Sequence, residues 1–166
     1  MKNKEISASI GCYLSFNLEN ELFAFQVNNV KSIIEVTRIT KIPQSPDYMK
    51  GVINFRGKAL PVVDLRAKLN LPPIQFTSNT CILVTEIMVK NDIELIGVLT
   101  DSVQEVIEFN EDQLLPPPSI AERRNAEFIK GIAHTGTEFI VVIDPKQLFY
   151  ESEFRNLKET IESENQ

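Results

Sequence analysis

Apolar and polar residues alternate in short runs along most of the chain, and the runs are rich in Val, Ile, Phe and Tyr. Each run is about four to seven residues long and is bounded by Gly, Pro, Asn or Asp, which is the pattern of half-buried β-strands. The predicted strands are Tyr13–Leu18, Glu21–Gln26, Val30–Thr37, Gly51–Phe55, Lys58–Val63, Cys81–Val89, Ile93–Thr100, Val103–Phe109, Lys130–His134 and Glu138–Ile143. Asn20 and the Asn91-Asp92 pair are predicted as hairpin turns. So many short strands indicate an all-β fold of barrels or sandwiches.

The chain repeats itself, which implies a duplicated architecture. A shift of 73 residues aligns the first half with the second, and beyond the prolines the shift becomes 80. Identities under the first shift are Leu22/Leu95, Val30/Val103, Ile34/Ile107, Glu35/Glu108 and Pro43/Pro116, and those under the second include Lys50/Lys130, Gly51/Gly131, Val62/Val142 and Asp64/Asp144. The difference, 80 − 73 = 7, places an insertion at Ser119–Glu127, a charged stretch predicted as an exposed loop or helical turn.

The repeat predicts one domain over residues 10–150, made of two β-lobes at about 10–75 and 76–150. Each lobe closes with a strand that ends at an Asp, so Asp64 and Asp144 are predicted as equivalent helix caps rather than a catalytic carboxylate pair. Residues 151–166 are predicted as a C-terminal helix or tail. The helix that follows Asp144 can run on into this segment, and its apolar stripe favours packing on a lobe over binding a partner. The stripe comprises Leu148, Phe149, Phe154, Leu157 and Ile161.

Charge and composition exclude several classes of protein. The net charge is 17 − 23 = −6, so the basic surface that binds nucleic acid is missing. No apolar run approaches the roughly 20 residues of a membrane span, and the first residues lead into no apolar segment typical of a secretion signal. Cys12 and Cys81 form no CxxC motif, which favours reduced thiols in the cytoplasm.

Candidate chemistry is sparse. His134 is the only histidine, and it is interpreted as a polar residue near a hairpin turn because no nucleophile or metal-ligand spacing accompanies it. The sequence has no nucleophile elbow, P-loop or dinucleotide-binding glycine motif. We therefore expect no catalytic residues, no metal site and no cofactor.

One predicted hairpin differs in sequence between the two halves. The segment from Gly51 to Lys58 carries Arg56-Gly57 at its predicted turn, whereas its repeat from Gly131 to Thr137 is predicted to be one residue shorter at the tip and has no arginine. Arg56 either keeps a turn hydrated, the usual state of a charged turn residue, or presents its five-donor guanidinium to carboxylate or carbonyl groups of a partner.

The segment MKGVINFRGKALPVVDLR at residues 49–66 resembles the signature of the CheW-type chemotaxis adaptors. Further resemblance runs through VTRITKIP at residues 36–43 and GVLTDSVQEV at residues 97–106, and covers nearly the whole chain from about Tyr13 to Phe149. It implies two small five-stranded barrels with a hydrophobic core between them. It also implies a non-enzymatic adaptor that joins the cytoplasmic tips of methyl-accepting chemoreceptors to the histidine kinase CheA, in the cytoplasm and without insertion into the membrane.

The resemblance also implies site residues. Four residues, Gly51, Asn54, Arg56 and Gly57, match the segment associated with receptor coupling. The strand segment containing Val30, Ser32 and Ile33 matches the one that meets the regulatory domain of the kinase. Ser32 stands where the family commonly has a glutamate, and Glu35 follows three positions later.

Two alternative functions remain open from the sequence. The lobes could serve a different chemosensory-like pathway, such as one controlling pilus motility, or form an enzyme or small-ligand barrel. A small-ligand barrel would need a pocket with convergent polar groups. The sequence instead supplies an apolar set that fills cores: Val52, Leu60, Val62, Val63, Val141, Val142 and Ile143.

Overall fold

A computed structural model describes residues 11–117 and 128–148 of the chain. Their strands are β1 (Cys12–Leu18), β2 (Glu21–Gln26), β3 (Val30–Glu35), β4 (Met49–Phe55), β5 (Lys58–Asp64), β6 (Cys81–Val89), β7 (Asp92–Thr100), β8 (Ser102–Glu108), β9 (Leu114–Leu115), β10 (Ile129–Thr135) and β11 (Glu138–Ile143). Helical structure there is limited to an α-turn at Leu65–Lys68 and 3-10 turns at Val27–Asn29, Glu111–Gln113 and Pro145–Gln147. The predicted all-β class is confirmed. None of these helices has the length and hydrophobicity needed to cross a membrane.

All ten predicted strands are present with ends within two residues of those predicted. Among the strands of the described residues, only β9 was missed, because two residues are too few to show an alternating pattern. The insertion at Ser119–Glu127 and the C-terminal helix at residues 151–166 lie outside the described residues.

Three hairpins turn through two residues that both have positive φ, the geometry of type I′ turns. The turn residues are Glu19-Asn20, Arg56-Gly57 and Lys90-Asn91. The second predicted turn is therefore displaced by one residue from Asn91-Asp92. The twist of a type I′ turn matches the twist of the strands that it joins, so these tips are rigid extensions of their sheets.

The strands form a six-stranded sheet in the order β8-β1-β2-β11-β10-β9 and a five-stranded sheet in the order β3-β6-β7-β5-β4. The sheets do not follow the two sequence segments 10–75 and 76–150. The β1–β2 hairpin pairs with strands of the second segment, and the β6–β7 hairpin pairs with strands of the first. The six-stranded sheet thus combines the β1–β2 hairpin with four strands of the second segment, and the five-stranded sheet combines the β6–β7 hairpin with three strands of the first.

The strand registers of the two sheets show the same shifts as the sequence repeat. In the parallel pairs, Val62 lies opposite Gly97 and Val142 lies opposite Ala24. These partners differ by 97 − 24 = 73 and 142 − 62 = 80, the two shifts found in the sequence. The parallel strand pairs β5–β7 and β2–β11 therefore have equivalent registers.

The described residues form three apolar cores. One lies on the five-stranded sheet and contains Ile53, Leu60, Val62, Ile82, Val84 and Leu99, and a second lies on the six-stranded sheet around Tyr13, Ile140 and Val142. The third and largest draws buried residues from both sheets, among them Phe16, Phe25, Leu83 and Val98. The central core implied by the resemblance is therefore present, and it joins the two sheets.

Candidate functional site

The β4–β5 hairpin carries the first candidate surface at its tip. Phe55 pairs with Lys58, so Arg56 and Gly57 form the loop with φ of 53° and 83°. The Asn54 carboxamide oxygen accepts a hydrogen bond of 2.8 Å from the Gly57 amide. The Arg56 guanidinium lies 4.8 Å from the centroid of the Phe55 ring. An exposed cation is thus held on a tight turn, with its guanidinium against an aromatic face.

The equivalent β10–β11 hairpin is not shorter, as the sequence comparison had suggested. Thr135 pairs with Glu138, which leaves Gly136 and Thr137 as a loop of two residues. The prediction was wrong because unaligned turn residues do not reveal where strand pairing ends, whereas the register does. The difference between the hairpins is therefore one of chemistry rather than length.

Gly51 lies away from this tip, in the buried part of β4. Its φ is 144°, and a Cβ atom there would come within 2.1 Å of the Thr40 carbonyl oxygen. The close approach arises because Thr40 and Val52 exchange two backbone hydrogen bonds of 2.9 Å. Gly51 thus admits the segment around Thr40 to the sheet, whereas Asn54, Arg56 and Gly57 form the exposed tip.

Strand β3 carries the second candidate surface. In the described part of the chain it is an edge of the five-stranded sheet and pairs with β6. Ile33 is 49% exposed, whereas Val30 packs against the central core and the half-buried Ser32 lies opposite Val84. An edge strand leaves backbone groups unpaired, and an exposed isoleucine beside them makes this edge suitable for a partner strand or loop.

Charges flank this edge. Lys31 forms an ion pair of 3.5 Å with Glu86 on the neighbouring strand. Glu35 lies opposite Cys81, and burial, followed by the charge of Glu35, raises the pKa of the Cys81 thiol. Cys81 is a free thiol, and the raised pKa keeps it protonated at neutral pH, where a thiol is weakly nucleophilic.

The two candidate surfaces lie on β3 and β4, the outer strands in the order of one sheet, and the Thr40–Val52 bridge joins the segment after β3 to β4. The predicted receptor segment and the predicted kinase segment therefore belong to the same sheet. Sequence reasoning missed Phe55 as the platform for Arg56, although an aromatic residue directly before a turn arginine was a visible signal.

The remaining polar residues singled out from the sequence have structural contacts. Asp64 accepts a hydrogen bond of 3.0 Å from the Arg66 amide, and Asp144 accepts one of 3.0 Å from the Lys146 amide. Both are N-caps, as predicted. The His134 ring stacks on Phe139 with centroids 4.8 Å apart. His134 pairs with Phe139 across the β10–β11 hairpin, one residue from its turn.

The family model for the CheW-like domain matches residues 12–153. The chain belongs to the CheW-like family. The chemotaxis protein CheW of Bacillus subtilis is 33% identical over 129 residues, covering 78% of this chain and 80% of that protein. The probable chemotaxis protein CheW of Rhizobium etli is 31% identical over 140 residues, covering 84% and 88%. The match to CheW proteins thus extends over nearly all of both sequences.

A solved structure gives the same result. The scaffolding protein TtCheW from Thermoanaerobacter tengcongensis is 30% identical, with a TM-score of 0.76 over 86% of this chain and 89% of that one. This CheW-like chain is a chemotaxis coupling adaptor, in a family of scaffold proteins. Neither a different chemosensory pathway nor a small-ligand barrel is favoured by these matches.

Proposed function

We propose that this CheW-like adaptor couples the cytoplasmic tip of methyl-accepting chemoreceptors to the regulatory domain of the histidine kinase CheA. In this proposal the receptor binds at the β4–β5 tip, through Arg56 with Asn54 and Gly57, and Gly51 holds that hairpin in place. The kinase binds along β3, at Ile33 with Val30 and Ser32 behind it. The protein acts without catalysis or cofactor, in the cytoplasm at membrane-associated receptor arrays.

The observation that carries the proposal is the exposed Arg56 on a type I′ turn whose backbone is fixed by Asn54. A guanidinium presents five donors in a planar fork that matches carboxylates and carbonyl groups. Holding the fork on a rigid turn lowers the entropy lost when a partner binds. The repeated hairpin has Gly136 and Thr137 at this place, so this chemistry exists at one of the two tips.

The kinase edge is supported by the exposure of Ile33 on an outer strand. Ser32 supplies no charge at the position where the family commonly has glutamate, and the nearest acidic residue on the strand is Glu35. The proposed contact is therefore mainly apolar and main-chain in character. It has less charge complementarity than a glutamate would give it.

The test removes each surface separately. Arg56→Ala and Arg56→Lys are expected to melt near the parent temperature, because an exposed charge contributes about 1 kcal/mol or less to folding. Arg56→Ala should weaken binding to a purified chemoreceptor cytoplasmic fragment by about 2–5 kcal/mol, and lysine should rescue it only in part because an ammonium lacks the planar fork. Binding is measured by calorimetry, and coupling by CheA autophosphorylation with receptor present.

Two variants provide controls. Thr137→Ala changes the tip of the repeated hairpin and should leave both partners bound. Ile33→Thr keeps strand propensity and should weaken binding to the CheA regulatory domain while receptor binding persists. Parent-like receptor binding and kinase control by Arg56→Ala would contradict the proposed role of the tip.

A further inference from the structure

Arg56 has a backbone conformation that arginine seldom adopts. Its φ of 53° lies in the left-handed region, where asparagine and glycine are the favoured residues of a type I′ turn. The turn itself is fixed by Asn54, whose side chain accepts the hydrogen bond from the Gly57 amide. An arginine therefore adds nothing to this turn that asparagine or glycine would not supply with less strain. What Arg56 contributes is its side chain.

That side chain lies on an aromatic ring that is itself anchored. The Arg56 Cζ atom is 4.8 Å from the centroid of the Phe55 ring, within the range of about 6 Å for a cation–π contact. Phe55 is half-buried and packs on the core of the five-stranded sheet. Ile53, two residues earlier on the same face of β4, is buried in that core. The core thus holds the ring, and the ring holds the guanidinium.

The turn is a cationic region of an acidic protein. Lys58 is exposed and pairs with Phe55 across the hairpin, so it lies beside the same ring as Arg56. The acidic residue of this hairpin is Asp64, which is buried at the opposite end of β5 from the turn. The whole chain has a net charge of −6. A partner group that suits two cations beside an aromatic ring is an acidic one.

The equivalent tip of β10–β11 lacks each of these features. Under the shift of 80, the residues equivalent to Phe55, Arg56 and Lys58 are Thr135, Gly136 and Glu138. That tip therefore has no ring before its turn, no cation within it and an acid after it. Both hairpins turn through two residues, so the difference lies in the side chains. The stacked cation belongs to the tip at which we place the receptor.

We propose that Phe55 is a positioning residue for receptor binding, whose ring holds the Arg56 guanidinium in the orientation that meets an acidic group of the receptor. The inference rests on the proposed function, because Phe55 acts through Arg56. A long side chain loses rotamer freedom when a partner binds, and a guanidinium already held on a ring loses less. Desolvation by the partner also strengthens the cation–π contact. Phe55 thus raises affinity without a receptor contact of its own.

The experiment compares binding of a purified chemoreceptor cytoplasmic fragment by the parent, Phe55→Leu and Phe55→Tyr. Leucine keeps an apolar side chain on the core but removes the aromatic face, so the affinity should fall by about three- to tenfold. Tyrosine keeps the ring and should restore the affinity to within about twofold of the parent. In an Arg56→Ala background, Phe55→Leu should cause no further loss, because the group that the ring positions is gone.

Two further measurements separate positioning from a general effect on the fold. Protons above an aromatic face resonate upfield, so the Arg56 Hδ and Hε signals of the free protein should be shifted upfield in the parent and in Phe55→Tyr. The shift should disappear in Phe55→Leu. Phe139→Leu is the matched control, because Phe139 is an exposed ring that stacks on His134 beside the other tip. It should leave receptor affinity unchanged.

Each other outcome has a defined meaning. Parent-like binding by Phe55→Leu, alongside a loss with Arg56→Ala, overturns the positioning role and leaves the proposed function standing. An equal loss from Phe55→Leu with and without Arg56 also overturns it, because Phe55 would then act independently of the guanidinium. Absence of the upfield shift in the parent overturns the contact on which the inference depends. Parent-like binding by Arg56→Ala overturns the proposed function as well.

Discussion

Gly51 and Gly131 occupy equivalent positions in β4 and β10, and an added Cβ atom would meet a different neighbour at each. At Gly51 the backbone has φ of 144°, and an added Cβ atom would collide with the Thr40 carbonyl oxygen. At Gly131 an added Cβ atom would lie 2.5 Å from Leu114 Cγ and 2.7 Å from the Leu115 carbonyl oxygen. In both strands the glycine makes room for a neighbouring backbone segment, and in both the register shifts beside it.

We expect Gly51→Val and Gly131→Val to destabilise the protein, each by about 1–3 kcal/mol. Gly51→Val should be the worse of the two, because it combines a disfavoured φ with a backbone oxygen that cannot move aside easily. Thermal melts measure the effect. Gly136→Asn is the matched control, since nothing lies within 4 Å of that position and asparagine tolerates positive φ. A parent-like melt of Gly51→Val would refute the packing argument.

At the scale of secondary structure, Asp64 and Asp144 cap the helical turns after β5 and β11 in the same way, but Asp64 makes more contacts. Asp64 and Asp144 each accept one amide hydrogen bond from two residues ahead. Asp64 is 1% exposed, and its second oxygen also accepts a hydrogen bond of 3.1 Å from the Ile74 amide. Lys50 Nζ lies 3.9 Å from the same oxygen. Asp64 therefore fixes the loop after its helix as well as the helix itself.

Removing the two caps is therefore expected to lower the free energy of unfolding by different amounts. Asp64→Ala should lower the free energy of unfolding by about 2–4 kcal/mol, because it leaves a second, buried amide unpaired in addition to the cap. Asp144→Ala should lower it by about 1 kcal/mol, the usual cost of losing a cap. Urea unfolding of both variants measures the difference. Equal losses would show that the Ile74 contact contributes nothing beyond the cap.

At the scale of the whole molecule, one polar cluster joins the two sheets beside the central core. Arg66, from the helix after β5, bonds both carboxylate oxygens of Asp101, with Nε at 3.1 Å from Oδ1. The same carboxylate accepts a hydrogen bond of 2.8 Å from the Glu19 amide, and the Asp101 amide donates to the Asn17 carbonyl oxygen at 3.0 Å. Asp101 thus ties the five-stranded sheet to the β1–β2 hairpin of the six-stranded sheet.

This tie exists on one side of the molecule. The repeat shifts place Lys146 and Asn28 at the positions equivalent to Arg66 and Asp101 (66 + 80 and 101 − 73), and that pair cannot form an ion pair. Hydrogen bonding to Asp101 is the main cause that raises the pKa of Arg66. A raised pKa stabilises the fold at every pH below the pKa of Arg66 in the unfolded chain, which is far above neutral, so the contribution of Arg66 is constant through neutral pH.

A double-mutant cycle should detect the coupling between the two residues. Arg66→Ala and Asp101→Ala are each expected to cost about 1–3 kcal/mol, because both side chains are mostly buried and each substitution removes the ion pair from the remaining partner. The double variant should be less damaging than the sum by about 1 kcal/mol or more. Urea unfolding gives the three differences. Strict additivity would mean that the ion pair does not couple the sheets.

The sequence by itself determined the features that depend on neighbouring residues. The alternation of side chains gave ten strands, turn chemistry placed the Arg56-Gly57 tip, and an aspartate after each closing strand predicted the caps. The duplication was also visible, because both halves keep the same spacing of buried positions. These features follow from side-chain periodicity and local backbone preference, which require no knowledge of distant partners.

Only the tertiary structure decided which distant segments meet. Three features join residues that are remote in sequence or belong to different sheets. They are the exchange of the β1–β2 and β6–β7 hairpins between sheets, the approach of Thr40 to Gly51, and the ion pair between Arg66 and Asp101. The same holds for the exposure of Ile33 beside the half-buried Ser32. The alternation of apolar and polar residues along the strands of each sheet would fit pairing with either hairpin. Burial of the shared central core between the sheets is a property of the assembled fold, because it depends on long-range contacts that no local pattern contains.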